Sequence, residues 1–105
     1  MPNKVENKEQ VLQCIRASKE KIEALGVQRM GLFGSFATGK QTAKSDVDIF
    51  VDFVPSQHTF DNFMDLSFLL ERLFGRDVEL VTPESLGPYM GPHILEEVEL
   101  VLFAA

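Results

Sequence analysis

The segment Met30–Phe53, MGLFGSFATGKQTAKSDVDIFVDF, decides the fold: an apolar run, a Gly-Ser turn, a polar connection, then Asp-x-Asp inside a second apolar run. In a strand, side chains alternate between faces and residues two apart lie about 6.6 Å from one another. Asp46, Asp48, Phe50 and Asp52 therefore share one face, and Val47, Ile49, Val51 and Phe53 share the other, which reads as core. Carboxylates crowded on one face repel unless solvent, a proton or a cation compensates. Mg²⁺ takes oxygen ligands, is commonly held by one or two carboxylates, and completes its shell with waters and phosphates. Asp46 and Asp48 are thus candidate ligands for Mg²⁺ or Mn²⁺.

Upstream, Phe33 ends the first strand and Gly34-Ser35 turns the chain into a short helix beginning near Phe36. Glycine permits close backbone approach, and the amides freed at such a turn, with the Ser35 hydroxyl, can hold a phosphate without a cationic side chain. The two halves fit one ligand, with the turn on its phosphate tail and the aspartates on a bridging metal.

Outward from this segment, Val11, Cys14, Ile15, Ser18, Ile22 and Leu25 recur at helical spacing and predict one amphipathic helix over Glu9–Leu25, ended by Gly26. Strands follow at Val27–Phe33 and Ser45–Phe53, joined by the polar connection Ala37–Lys44, whose Lys40 and Lys44 are either solvated or within reach of a triphosphate. Pro55-Ser56-Gln57-His58 reads as a loop with His58 facing solvent, and Thr59 caps a helix over Phe60–Phe74. That helix is apolar on more than one stripe, so it is either buried on two sides or faces a partner. Gly75 stops it, and Asp77–Val81 alternates as a third strand with Asp77 and Glu79 on one face. If this strand neighbours the second, a third carboxylate joins the pair. Thr82-Pro83-Glu84 reads as a helix start, Gly87-Pro88 and Gly91-Pro92 are turns, Pro92–Glu97 is a short helix, and Val98–Phe103 is a strand or continues that helix.

Length and composition bound the rest. The 105 residues fit one domain, 1–105, with 45% hydrophobic and 25% charged residues, as in globular proteins. No run is long enough for a membrane span and the N-terminus lacks a signal-peptide core, so the expected location is cytoplasmic. Cys14 is the only cysteine, which excludes an intrachain disulfide. Through Lys44 there are eight basic and four acidic residues, and from Ser45 onward two and twelve. An acidic C-terminal part argues against a direct nucleic-acid surface and suits a metal site or a basic partner.

Gly34-Ser35 and Asp46-x-Asp48, ten residues apart and each abutting an apolar strand, resemble the motif of the nucleotidyltransferase superfamily that includes DNA polymerase beta. The resemblance is nearest to its minimal nucleotidyltransferases, small proteins often encoded beside a HEPN-class partner, and spans nearly the whole chain. It implies a compact α+β fold of the polymerase-beta-like type, a small mixed sheet flanked by helices. It places Gly34 and Ser35 on nucleotide phosphates, and Asp46, Asp48 and Glu79 as the three acids that hold two divalent ions, Glu79 serving as base. The implied reaction moves a nucleoside monophosphate, here AMP from ATP, to a hydroxyl, and some members add AMP to a tyrosine of a HEPN toxin. Two departures stand out: Ala37-Thr38-Gly39 where the family commonly has Ala-Arg-Gly, and Glu79 where it commonly has Asp, with Asp77 as the fallback acid.

Three readings follow. The first is an antitoxin that transfers AMP to a HEPN-domain partner. The second is a module that neutralises or assembles with that partner without catalysis, in keeping with Thr38, Glu79 and the apolar helix. The third is a transferase for a small molecule of the aminoglycoside type. A chain of this length has no separate acceptor domain, so the acceptor site is expected from a partner or from a second copy in a homo-oligomer.

Overall fold

The computed structural model describes residues 4–88 and 91–103. Its elements run α1 (Lys8–Ala17), α2 (Lys19–Ala24), β1 (Val27–Phe33), α3 (Ser35–Thr38), β2 (Val47–Phe53), α4 (Phe60–Phe74), β3 (Val78–Val81), α5 (Gly91–Glu97) and β4 (Glu99–Phe103). Single 3-10 turns occupy Pro55–Gln57 and Pro83–Ser85. The strands form one sheet in the order β3-β2-β1-β4. β1 is antiparallel to both β2 and β4, and β2 is parallel to β3, so the sheet is mixed as expected. A parallel pair needs a long crossover, and α4 supplies it.

The alternation read from Asp-x-Asp holds. Val47, Ile49, Val51 and Phe53 are buried at 4% exposure or less. They meet Met30 and Leu32 of β1, Val11, Leu12 and Ile15 of α1, Ile22 of α2, and Leu66, Leu70 and Phe74 of α4 in one core. Removing each such side chain from water contributes about 1.5–3 kcal/mol, and this burial holds the helices against the sheet.

The other face of the sheet is not open along its whole length. Phe50, placed with the aspartates, is 1% exposed, and the Pro83–Ser85 turn packs on its strand. Gly31 of β1 lies so close to Val98 and the Glu99 carbonyl that a Cβ there would meet that oxygen at 2.9 Å. The segment after β3 therefore covers the middle of this face and leaves uncovered the end that carries Asp48.

Three boundaries differ from the sequence reading. The helix expected over Glu9–Leu25 is two helices, because the Ser18 amide turns back on the Cys14 and Ile15 carbonyls and tightens the backbone there. Strand β2 begins at Val47, which leaves Asp46 in the preceding turn, and β3 begins at Val78, which leaves Asp77 outside it. Val98–Phe103 resolves to a strand, since β4 pairs with β1 rather than continuing α5. His58 stacks on Phe53 with ring centroids 5.1 Å apart, so its ring has a partner. The Thr59 cap stands as read, its side chain accepting from the Asn62 amide, and Thr82 and Ser85 cap each other's amides.

Candidate functional site

The uncovered end of the sheet is where the C-terminus of β1 meets the start of β2 and of β3. Antiparallel register sets Phe33 beside Asp48, and parallel register sets Asp48 beside Glu79. The Val47 amide donates to the Asp77 carbonyl at 3.0 Å, aligning the starts of the two parallel strands. Asp48 and Glu79 thus form one rank, and Asp46 and Asp77, just ahead of their strands, stand at the mouth of the site.

Gly34 follows Phe33 with φ +74° and ψ −153°, a backbone region open in practice to glycine alone. An added Cβ would clash with Asp48 Oδ2 and lie 3.0 Å from its Cγ. The missing side chain is what lets the Asp48 carboxylate sit against the Gly-Ser turn. The sequence motif's two halves, ten residues apart in the chain, are therefore in contact in the fold.

Helix α3 is one turn. The Ala37 and Thr38 amides bond to the Gly34 carbonyl, and the Thr38 hydroxyl reaches the Gly34 and Ser35 carbonyls at 3.2 and 3.4 Å. Thr38 thereby braces the turn where the family resemblance leads one to expect a cationic Arg. The first amides of such a turn precede those with internal acceptors.

Electrostatics single out Asp48. Its carboxyl is pushed up from the usual value of 3.8 to about 6, first by burial, then by a hydrogen bond with Glu79 and the charges of Glu79 and Asp46. One proton, or a cation in its place, relieves that crowding. The donor set is all carboxylate oxygen, the chemistry of Mg²⁺ or Mn²⁺ rather than of a softer ion, and the space beside Gly34 is free of any side chain of its own. As the side chains are placed, no three of the His, Cys, Asp and Glu groups among the described residues close on a single point. Asp46 and Glu79 are both solvent-exposed, whereas Asp48 is held between the turn and β3.

Beside this rank lies an open cleft of about 390 Å³ bordered by Lys4, Lys44, Asp46, Glu71, Arg76 and Asp77. Lys44 is thus near Asp46, while Lys40 does not border the cleft. Asp48 and Glu79 do not line it, so the cleft adjoins the carboxylate pair on the Asp46 side.

Sequence reading passed over Arg76, which at 9% exposure is one of the buried polar side chains. A signal was present: Arg72 and Arg76 are the two basic residues after Lys44, and Arg76 follows directly on the Gly75 helix stop.

Comparison with known proteins agrees with this arrangement. The family profile "Nucleotidyltransferase domain" matches residues 13–101. The protein adenylyltransferase MntA of Thermococcus cleftensis is 38% identical over 96 residues, covering 89% of this chain and 94% of its own. A solved structure provisionally described as a minimal nucleotidyltransferase superposes with a TM-score of 0.69 at 30% identity, over 84% of this chain and 93% of that one. A tri-AMPylated Shewanella oneidensis HEPN toxin in complex with an MNT antitoxin matches in fold, with a TM-score of 0.56 at 20% identity over 85% and 72% of the two chains.

Proposed function

The chain belongs to the nucleotidyltransferase domain family, and from that premise we propose that it is a protein adenylyltransferase that moves AMP from ATP to a hydroxyl of a HEPN-type protein, as the antitoxin to that protein's RNase activity. The observation that carries this reading is the seating of Asp48 against Gly34 and beside Glu79, because it joins a phosphate turn to a carboxylate pair at one point. The name of the T. cleftensis relative supports protein adenylylation, and the HEPN complex of a fold neighbour supports the partner class.

In this reading the Gly34-Ser35 turn binds the triphosphate, its amides and hydroxyl donating to phosphate oxygens. Asp46, Asp48 and Glu79 would hold Mg²⁺ or Mn²⁺, which when bound neutralises charge on the attacking and leaving oxygens. The acceptor oxygen bonds to the α-phosphorus, the bond from that phosphorus to the bridging oxygen breaks, and pyrophosphate leaves. The acceptor's proton passes to a carboxylate, which we assign to Glu79. Residues 1–105 act as one catalytic domain, the acceptor coming from the partner, in the cytoplasm.

A second reading, a module that binds the HEPN protein without transfer, is favoured by one observation: Thr38 braces α3 and supplies no cation beside the turn. Binding of ATP in the presence of Mn²⁺, followed by transfer of label from α-labelled ATP to a HEPN protein of the same genome, tests the two. Label on that protein supports transfer. Suppression of its RNase activity with no label favours the second reading.

A further inference from the structure

We propose that Arg76 is the positioning residue of the site, a side chain that fixes the turn carrying Asp46 through its backbone carbonyls; this rests on the nucleotidyltransferase reading above. The Arg76 Nε donates to the Val5 carbonyl at 2.7 Å. Its Nη1 lies within bonding distance of the Thr42, Ala43 and Ser45 carbonyls at 3.1, 3.2 and 2.8 Å. The plane of the guanidinium lies over Phe36, with Cζ 4.9 Å from the ring centroid. One group therefore touches the residue after Ser35, the residue before Asp46 and the segment that leads into β3 and Glu79. No other described side chain joins all three segments that bear the candidate residues.

The chemistry is specific to arginine. A buried cation is costly unless its donors are satisfied, and among the described residues no carboxylate comes within ion-pair distance of Arg76. Four carbonyl oxygens and an aromatic face take the place of a counter-ion. Only a planar fork with several fixed donors can address Val5 on one side and three carbonyls of a turn on the other while lying flat on a ring. A lysine ammonium keeps the charge but is a point donor.

The turn it grips needs such a hold. Its internal bonds are short-range ones, from the Thr42 amide to Ser45 Oγ, the Ser45 amide to the Thr42 carbonyl, and the Lys44 amide to Thr42 Oγ1. Outside ties come from Lys4 to the Ala43 carbonyl and from Gln41 to the Glu6 carbonyl, both exposed. Arg76 is the buried tie. It sets where Ser45 hands the chain to Asp46, and so whether Asp46 stands with Asp48.

The test uses Arg76→Lys and Arg76→Gln in the full chain, read in two ways. Without metal or nucleotide, amide hydrogen exchange at Thr42, Lys44 and Ser45 is expected to rise at least tenfold in both variants, with amides at Val11, Ile15, Leu66 and Leu70 unchanged beyond the overall loss of stability. With Mn²⁺ and ATP, the affinity for the pair is expected to fall at least tenfold in variants that still melt cooperatively above the assay temperature. A merely structural arginine would lower the melting temperature of the whole chain without a selective change in the turn. Should Arg76→Gln fail to fold, Arg76→Lys decides. If Arg76→Lys leaves both the turn's exchange and the Mn²⁺·ATP affinity at parent values, the proposal is overturned. If the parent takes up no Mn²⁺·ATP, the nucleotide reading fails, and the exchange measurement, which needs neither, still decides the positioning.

Discussion

Asp48 of β2 lies directly beside Glu79 of β3 in parallel register, and the two carboxyl groups are close enough to share a hydrogen bond. Two acids so placed are a load on the metal-free fold, and a site for whatever relieves it.

That load is measurable as a pH dependence. A carboxyl raised from 3.8 to about 6 on folding leaves stability intact below about pH 4 and removes it as the pH rises through about 6. The full effect would be about 3 kcal/mol, and partial exposure of the carboxyl reduces it to about 1 kcal/mol. In metal-free protein the stability of Asp48→Asn relative to the parent is expected to rise by about 1 kcal/mol between pH 4 and pH 7. Denaturant melts at the two pH values check it, and a constant difference would show that Asp48 is not under strain.

Gly34→Ala is the sharpest backbone test. The residue sits at φ +74° with Asp48 where a Cβ would go, and backbone strain of that kind costs of order 1–3 kcal/mol. The variant is expected to lose about that much stability and to lose ATP binding with it. A variant as stable as the parent would mean that Asp48 does not need the turn.

Much of this was legible in the sequence because the relevant patterns are local. Alternation in Val47–Phe53 revealed the core face, Gly75 marked a helix end, and Thr59 a helix start. What stayed hidden depended on tertiary contacts. Asp46 has the same sequence spacing from Asp48 as Phe50 does, yet one lies in a turn and the other under the Pro83–Ser85 segment, because pairing with β3 begins at Val47. The break at Ser18 carries no Gly or Pro to announce it. Arg76 gave no periodic signal, since its partners are backbone carbonyls far away in the chain.

Helix α4 confirms its mixed reading: Leu66, Leu70 and Phe74 are buried, while Phe60 and Phe68 are 77% and 55% exposed. Polar replacement of these two phenylalanines is expected to change stability by no more than about 0.5 kcal/mol while reducing self-association at high concentration. Sedimentation at rising concentration reads the result. Identical association of parent and variant would place the contact elsewhere.

Glu79→Gln separates binding from transfer. If Glu79 takes the acceptor's proton, the variant retains most of the Mn²⁺-dependent ATP affinity and loses AMP transfer by at least about 10²-fold. Asp77→Asn is the comparison, because Asp77 stands at the mouth of the same site. Loss of transfer in Asp77→Asn with Glu79→Gln unaffected would exchange the two roles.

The central claim is that the Gly34–Asp48–Glu79 contact is a catalytic centre for adenylylation of a protein. The most direct measurement counts label from α-labelled ATP on a HEPN protein of the same genome, with the parent chain and with the Asp46→Asn, Asp48→Asn double variant, in Mg²⁺. The account predicts label on the HEPN protein with the parent and at least about 10²-fold less with the variant. Equal labelling by the two proteins, or no labelling by a parent chain that still suppresses the RNase, would contradict it.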